Sequence, residues 1–219
     1  MADCFAPMTD TDDASVDDEL LRAFAAGDAR AFDRLYERHE VALYRFVRRL
    51  LGREFASQVD EVFQDAWLRV VQAAGQWSPR GARFRTWLFT IAHHRAIDLL
   101  RRGGRELSWS DEAGDGEPAF LPSGEPWVDW PAATAASPED RAFWQRAGQR
   151  LLSCLEELPL AQKAAFLLHH EDELSVQELA AALGVGFETA KSRLRYGLAR
   201  LRVCMGAYLP VGAGLKSGS

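Results

Sequence analysis

Long apolar runs are missing from this chain. Every apolar stretch is short and broken by charge, which excludes a transmembrane helix. A secretory signal, with a basic start followed by an apolar segment, is missing as well: residues 1–19 carry seven acids and no Lys or Arg. The chain is therefore expected to work in the cytoplasm without membrane insertion. Cysteine is scarce and odd in number. Cys4, Cys154 and Cys204 lie far apart, with no CxxC spacing, so neither a disulfide framework nor a zinc knuckle is suggested. The expectation is reduced thiols in a cytosolic protein. No Gly-rich phosphate loop, Ser/His/Asp set or catalytic pair of carboxylates stands out, and no strand-like alternation or long repeat is visible.

What is present is charge, unevenly placed. The net charge of −6 argues at first against a nucleic-acid partner. Its distribution argues the other way. Residues 20–106 hold 16 Lys and Arg against 10 acids, and residues 141–219 hold 10 against 7. Between them, residues 107–140 hold 8 acids and no base. Basic blocks set apart by acidic ones point to nucleic-acid contact more reliably than the total does.

Helical periodicity runs through both basic blocks. Leu20–Phe24 and Ala31–Leu51 carry apolar residues at helical spacing, ending at Gly52. The stretch Ser57–Ala74 places Val59, Val62, Phe63, Ala66, Trp67 and Val70 on one stripe. After a Pro/Gly loop, Thr86 is an N-cap candidate for a helix over Trp87–Arg102. Residues 107–137 have no period and read as an acidic linker. Ser137-Pro138-Glu139-Asp140 then starts a helix to about Leu158, and Leu160–His170 forms another. Ser175 and Glu178 make a capping box for a helix ending at Leu183, and Phe187–Val203 is a last long helix. The expected fold is all-α: two small helical domains joined by a flexible linker, the second containing a helix-turn-helix. Residues 1–17 are expected to be an acidic disordered N-terminus, 18–106 and 138–209 the domains, 107–137 the linker and 210–219 a flexible tail.

Three surfaces carry candidate chemistry. On the last helix, Phe187, Glu188, Lys191, Ser192 and Arg195 oppose the apolar stripe near the N-terminal end, where a recognition helix reads base edges. Arg193, Arg195, Arg200 and Arg202 suit phosphates. On Ser57–Ala74, the polar face gathers Asp60, Glu61, Gln64 and Asp65. A compact acidic face in a basic domain suits docking on a basic protein surface. On and before Trp87–Arg102, the basic residues Arg80, Arg83, Arg85, Arg95, Arg101 and Arg102 are interleaved with Phe84, Trp87 and Phe89. Arginines with aromatics are a means of holding unpaired bases, although core packing of Phe84 and Trp87 is an equal reading. The pairs His93-His94 and His169-His170 are not read as metal ligands, because helical neighbours point at least a quarter-turn apart. No metal and no cofactor is expected.

In this order the elements resemble the sigma-70 family, specifically its short extracytoplasmic-function group. Val59-Asp60-Glu61-Val62-Phe63-Gln64-Asp65-Ala66-Trp67 is similar to that group's acidic helix, usually close to AEDLVQEVF. Residues Trp87–Arg102 resemble WLxxIAxNxxIDxxRR, Leu155–Phe166 resembles LxxLPxxQRxxF, and Ser175–Arg202 resembles LSxxEIAxxLGxxxxTVKSRLxxAxxxLR. Departures are Glu61 for Asp, His94 for Asn, Lys163 for Arg, Gly186 for the capping Ser and Ala190 for Val. The resemblance covers about residues 18–106, as a region 2 domain, and 138–204, within a region 4 domain.

The resemblance implies a non-catalytic initiation subunit. Asp60, Glu61, Gln64 and Asp65 would dock on the coiled coil of the largest subunit of core RNA polymerase. Arg80, Arg83, Arg85, His94, Arg95, Arg101 and Arg102 would hold the −10 element of promoter DNA during melting. Phe187, Glu188, Lys191, Ser192, Arg193 and Arg195 would read the −35 element, with the same domain touching the flap of the second-largest subunit. The linker would thread toward the polymerase active site, and an anti-sigma factor would hold the free subunit inactive. Two alternatives remain at this point: a stand-alone helix-turn-helix regulator, and a helical enzyme using the His and acid clusters.

Overall fold

Apolar stripes at helical spacing leave this chain one economical solution, helix packed on helix. The computed structural model describes residues 10–76, 83–102, 137–170 and 174–208. The described residues form α1 (Asp10–Ala25), α2 (Ala29–Leu51), α3 (Val59–Ala73), α4 (Phe84–Arg102), α5 (Pro138–Glu156), α6 (Leu160–His170), α7 (Val176–Leu183) and α8 (Phe187–Met205), with short 3-10 turns and no strand. The expected linker, the Arg80 stretch of the Pro/Gly loop and the tail lie outside the described residues.

The first domain is built on α2. Asp28 caps it by accepting a bond from the Arg30 amide at 3.0 Å, and the helix ends at Gly52. Its stripe of Leu35, Leu43, Phe46, Val47 and Leu50 is fully buried. The α3 stripe Val59, Val62, Ala66, Trp67 and Val70 closes over it. Aromatic edges lock the seam: Phe32 meets Trp67 at 5.7 Å and Tyr36 meets Trp67 at 5.0 Å. Across the other side, Phe46 of α2 meets Phe89 of α4 at 5.3 Å.

Two boundaries differ from the sequence expectation. Helix α4 begins at Phe84, and Thr86 is buried inside its first turn rather than capping it. Phe84 is fully buried, so it shares the core face with Leu88, and burying it extends the helix past the polar Thr. Helix α1 begins at Asp10, inside the stretch 1–17 that composition marks as disordered. Acidity alone hid an anchor. Asp17 is 3% exposed, and its two oxygens accept from Arg38 Nε and His39 Nε2, each at 2.7 Å. His39 in turn lies 5.4 Å from the Phe84 ring.

In the second domain α5, α6 and α7 all pack on α8. Ser175 and Glu178 form the capping box, with Ser175 N–H to Glu178 Oε2 at 2.9 Å and Glu178 N–H to Ser175 Oγ at 3.3 Å. The turn to α8 depends on Gly184 at φ 65°, ψ 35°. The amides of Gly184 and Val185 bond back to Ala181 and Ala180, closing the turn and aiming α8 across α7. Gly197 lets α8 approach α6, since a Cβ there would stand 3.2 Å from the Gln162 carbonyl oxygen.

The cysteine expectation is corrected. Cys154 on α5 and Cys204 on α8 are joined in a disulfide, with Cα atoms 5.9 Å apart. Their separation of 50 residues conceals the pairing in sequence. Packing of α5 on α8 creates it.

The two domains touch. Helix α4 packs on α7, and α2 packs on α5 and α6. Arg53 Nε reaches Glu156 Oε1 at 3.1 Å across the seam. A groove there is lined by Arg48, Arg49, Arg53, Leu152, Leu155 and Glu156. One hydrophobic cluster runs from Leu20 through the α4 core to Met205.

The Asp17 clasp generates a stability test. Burial alone would raise the Asp17 pKa, but the hydrogen bond and charge of His39, then those of Arg38, outweigh it and hold the carboxyl below its ordinary 3.8. A depressed carboxyl stabilises the fold above its unfolded pKa and loses that contribution as pH falls through the folded value. Asp17→Asn should cost about 3 kcal/mol near pH 6, as for one partner removed from a buried pair. The gap to wild type, measured by urea unfolding, should shrink below about pH 4. A gap independent of pH would count against the clasp.

Candidate functional site

Three surfaces emerge once the stripes are buried. The first is the outer face of α3. Asp60, Glu61 and Gln64 are exposed there, in the first turns of the helix, where acids also suit the helix dipole. Asp65 does not stand with them. It is half-buried and turned to α4, where it accepts from Arg95. Apolar groups border the acids: Val41 and Tyr44 on α2, Leu68 and Val71 on α3, all exposed. Tyr44 packs edge-on against Phe63 at 5.5 Å and hydrogen-bonds Asp60, which pushes its phenol above the ordinary range. The surface thus pairs carboxylates with uncovered apolar area, as protein interfaces do. These four apolar residues were missed from sequence. Their signal was there, since each falls off the buried stripe of its own helix.

The second surface follows α4. His94, Arg101 and Arg102 are exposed, as is Arg83 just before the helix. Arg85 lies with its guanidinium 5.7 Å from the Phe89 ring centre. The aromatics answer differently from the base-stacking expectation. Phe84 and Phe89 are fully buried core, and only Trp87 is half-buried. Arg95, expected among the DNA contacts, is the partner of Asp65 and lies 4.0 Å from Asp98.

The third surface is the N-terminal half of α8. Phe187, Glu188, Lys191 and Arg195 are exposed. Lys191 Nζ stands 4.0 Å from Glu188 Oε2, and Arg195 lies over Tyr196 at 5.1 Å. Ser192 donates back to the Thr189 carbonyl at 3.0 Å, which occupies its proton. Arg193 departs from the expected set. It is only 6% exposed, and its charge is close enough to His93 on α4 to oppose protonation there. No group of three or more potential metal ligands occurs among the described residues, and no described helix is long and apolar enough to cross a membrane.

Two family models match the chain. "Sigma-70 region 2" matches residues 35–106, spanning α2 to α4, and "Sigma-70, region 4" matches residues 148–201, spanning most of α5 to α8. The ECF RNA polymerase sigma factor SigK of Mycobacterium sp. (strain KMS) is 31% identical over 189 residues, covering 86% of this chain and 90% of SigK. The chain belongs to the extracytoplasmic-function sigma factors. Two solved structures share its fold. One is CnrH in complex with the cytosolic domain of CnrY, at a TM-score of 0.58 and 24% identity over 88% of this chain and 98% of that one. The other is the sigma factor RpoE in complex with the anti-sigma factor NepR from Bartonella quintana, at 0.56 and 21% over 81% and 98%. As a sigma factor of this group, the protein serves promoter-specific transcription initiation.

Within this sigma factor, His93 of region 2 is buried near Arg193 of region 4. Burial, then the charges of His94, Arg193 and Arg101, push it down to about 3. His170 is pushed down to about 4 by burial and His169. Both are held neutral in the fold. Below the ordinary 6.5 the unfolded chain takes up protons that the folded chain refuses, so stability falls with pH, by up to about 1.4 kcal/mol per unit for each histidine. His93→Leu should remove about half of that slope between pH 6 and 5 in urea titrations. Equal slopes in mutant and wild type would show that His93 is not kept neutral.

Proposed function

We propose that this sigma factor binds core RNA polymerase through the outer face of α3, holds melted −10 DNA along α4, and reads duplex −35 DNA with the start of α8. The observation that carries this reading is the separation of charge types. Exposed Asp60, Glu61 and Gln64 lie among apolar groups on one surface, while exposed cations line α4 and α8. An acidic and partly apolar face suits a basic protein surface, here the coiled coil of the largest subunit. His94, Arg101, Arg102 and Arg83, with half-buried Trp87, suit an unpaired strand. Phe187, Glu188 and Lys191, at the start of a helix braced by α5, α6 and α7, suit a major groove. A stand-alone regulator has no use for the α3 face.

The work is non-catalytic and takes place in the cytoplasm, with no metal or cofactor. The second domain also meets the flap of the second-largest subunit. An anti-sigma factor is a partner of the free protein. The fold likeness to RpoE, solved with the anti-sigma factor NepR, supports that reading.

The deciding experiment adds the full chain to core polymerase and maps run-off transcripts on genomic DNA. New start sites sharing −35 and −10 elements are expected, and transcription indistinguishable from core alone would reject the reading. Two sets of substitutions test the surfaces. Reversing Asp60 and Glu61 to Lys should weaken core association at least about tenfold, the equivalent of ~1.4 kcal/mol, while circular dichroism stays unchanged. Lys191→Ala should cost about 1–3 kcal/mol at one −35 position and relax preference there. Arg200→Ala, at an exposed α8 position read as a phosphate contact, should weaken all sequences alike and reduce the salt slope by about 1.

A further inference from the structure

We propose that Asp65 is a positioning residue for promoter melting and not a docking residue: its carboxylate on α3 holds Arg95 and thereby fixes how α4 is presented to −10 DNA. The proposal rests on the −10 role of α4 given above. It divides the acidic helix between two tasks.

Geometry separates Asp65 from its neighbours. Asp60, Glu61 and Gln64 are exposed, whereas the Asp65 side chain is 33% exposed and that of Arg95 is 20% exposed. At about 100° per residue, Asp65 is turned roughly 100° from Gln64 and 140° from Asp60 but only about 40° from Glu61, so it is the bond to Arg95 and the lower exposure that set it apart. Arg95 Nε donates to Asp65 Oδ2 at 3.1 Å, and Nη2 donates to the same oxygen. On the guanidinium's other side, Nη1 is 4.0 Å from Asp98 Oδ2. One cation therefore faces two carboxylates. A DNA phosphate would have to displace them, so Arg95 is a poor candidate for the phosphate contact its charge suggests.

The contact adds a directional constraint to the apolar packing of α4. Phe84, Leu88, Phe89, Ala92, His93, Ala96, Ile97 and Leu100 are all buried, on sides facing both domains. Apolar burial this wide fills the space around α4, but it does not by itself aim a polar group. A guanidinium fork on a carboxylate is directional. With Arg95 held, His94 and Arg101 and Arg102 stay outward.

The test uses the full chain with core polymerase. It reads core affinity, open-complex rate by permanganate reactivity of melted thymines, and thermal midpoint. Asp65→Asn should leave core Kd within about twofold and slow opening roughly five- to tenfold. Asp65→Glu should restore most of the opening rate, because it returns the charge. Arg95→Gln should match Asp65→Asn, and the double substitution should be no slower than either alone, the mark of one shared contact. Loss of core affinity in Asp65→Asn, as large as in the Asp60/Glu61 reversal, would return Asp65 to the docking face and overturn the proposal. So would normal opening in Asp65→Asn, or defects that multiply in the double variant. If the Asp60/Glu61 reversal instead leaves core affinity intact, the polymerase-docking reading fails while the Asp65 result still stands on its opening rate.

Discussion

Helix α4 is enclosed from two directions, and the rest of the molecule is arranged around that enclosure. One side closes the first domain against α2 and α3, and another meets α7 of the second domain. Each direction demands small or apolar groups, which is why Ala92, Ala96 and Leu100 sit where a surface helix would carry charge. Even a histidine, His93, is taken into this space as a neutral group. What remains for solvent on α4 is narrow, and it is occupied by His94 and the terminal arginines.

Charge is distributed to match. Exposed cations stand on α4 and α8, among them Lys191, 4.0 Å from Glu188 one turn earlier on the same helix. Where an acid and a base fall at a seam between elements, they are joined: Asp17 with His39 and Arg38 between α1 and α2, Asp65 with Arg95 between α3 and α4, Arg53 with Glu156 between domains. The first is buried and structural, the last exposed and weak. Their grading follows how far each is removed from water.

Much of this was legible in the sequence because it is local. The α3 stripe, the Ser175–Glu178 box, Gly184 and the start of α8 at Phe187 are properties of neighbouring residues, and each falls where periodicity and capping chemistry put it. What escaped depends on contacts far along the chain. Asp17 reads as one more acid in an acidic leader until His39 packs against it. Cys154 and Cys204 read as unrelated until α5 lies on α8. Arg193 reads as a phosphate contact by its place on α8, and only the folded chain shows it covered. Asp65 is the instructive case. Asp60 and Glu61 share its charge and stand exposed, and only the packing of α4 shows the Asp65 carboxylate turned to Arg95.

The covered Arg193 has a consequence in populations. A duplex lying along α8 could engage that guanidinium only in molecules where the groups that cover it have moved aside. If such molecules are a fraction f of the whole, any affinity that uses Arg193 is weakened by the factor 1/f, so one open molecule in about a hundred weakens it about a hundredfold. A partner that uncovers Arg193 would recover that factor without touching DNA. Were Arg193 a DNA contact, the grip on a promoter would depend on what covers it as much as on the exposed residues of α8.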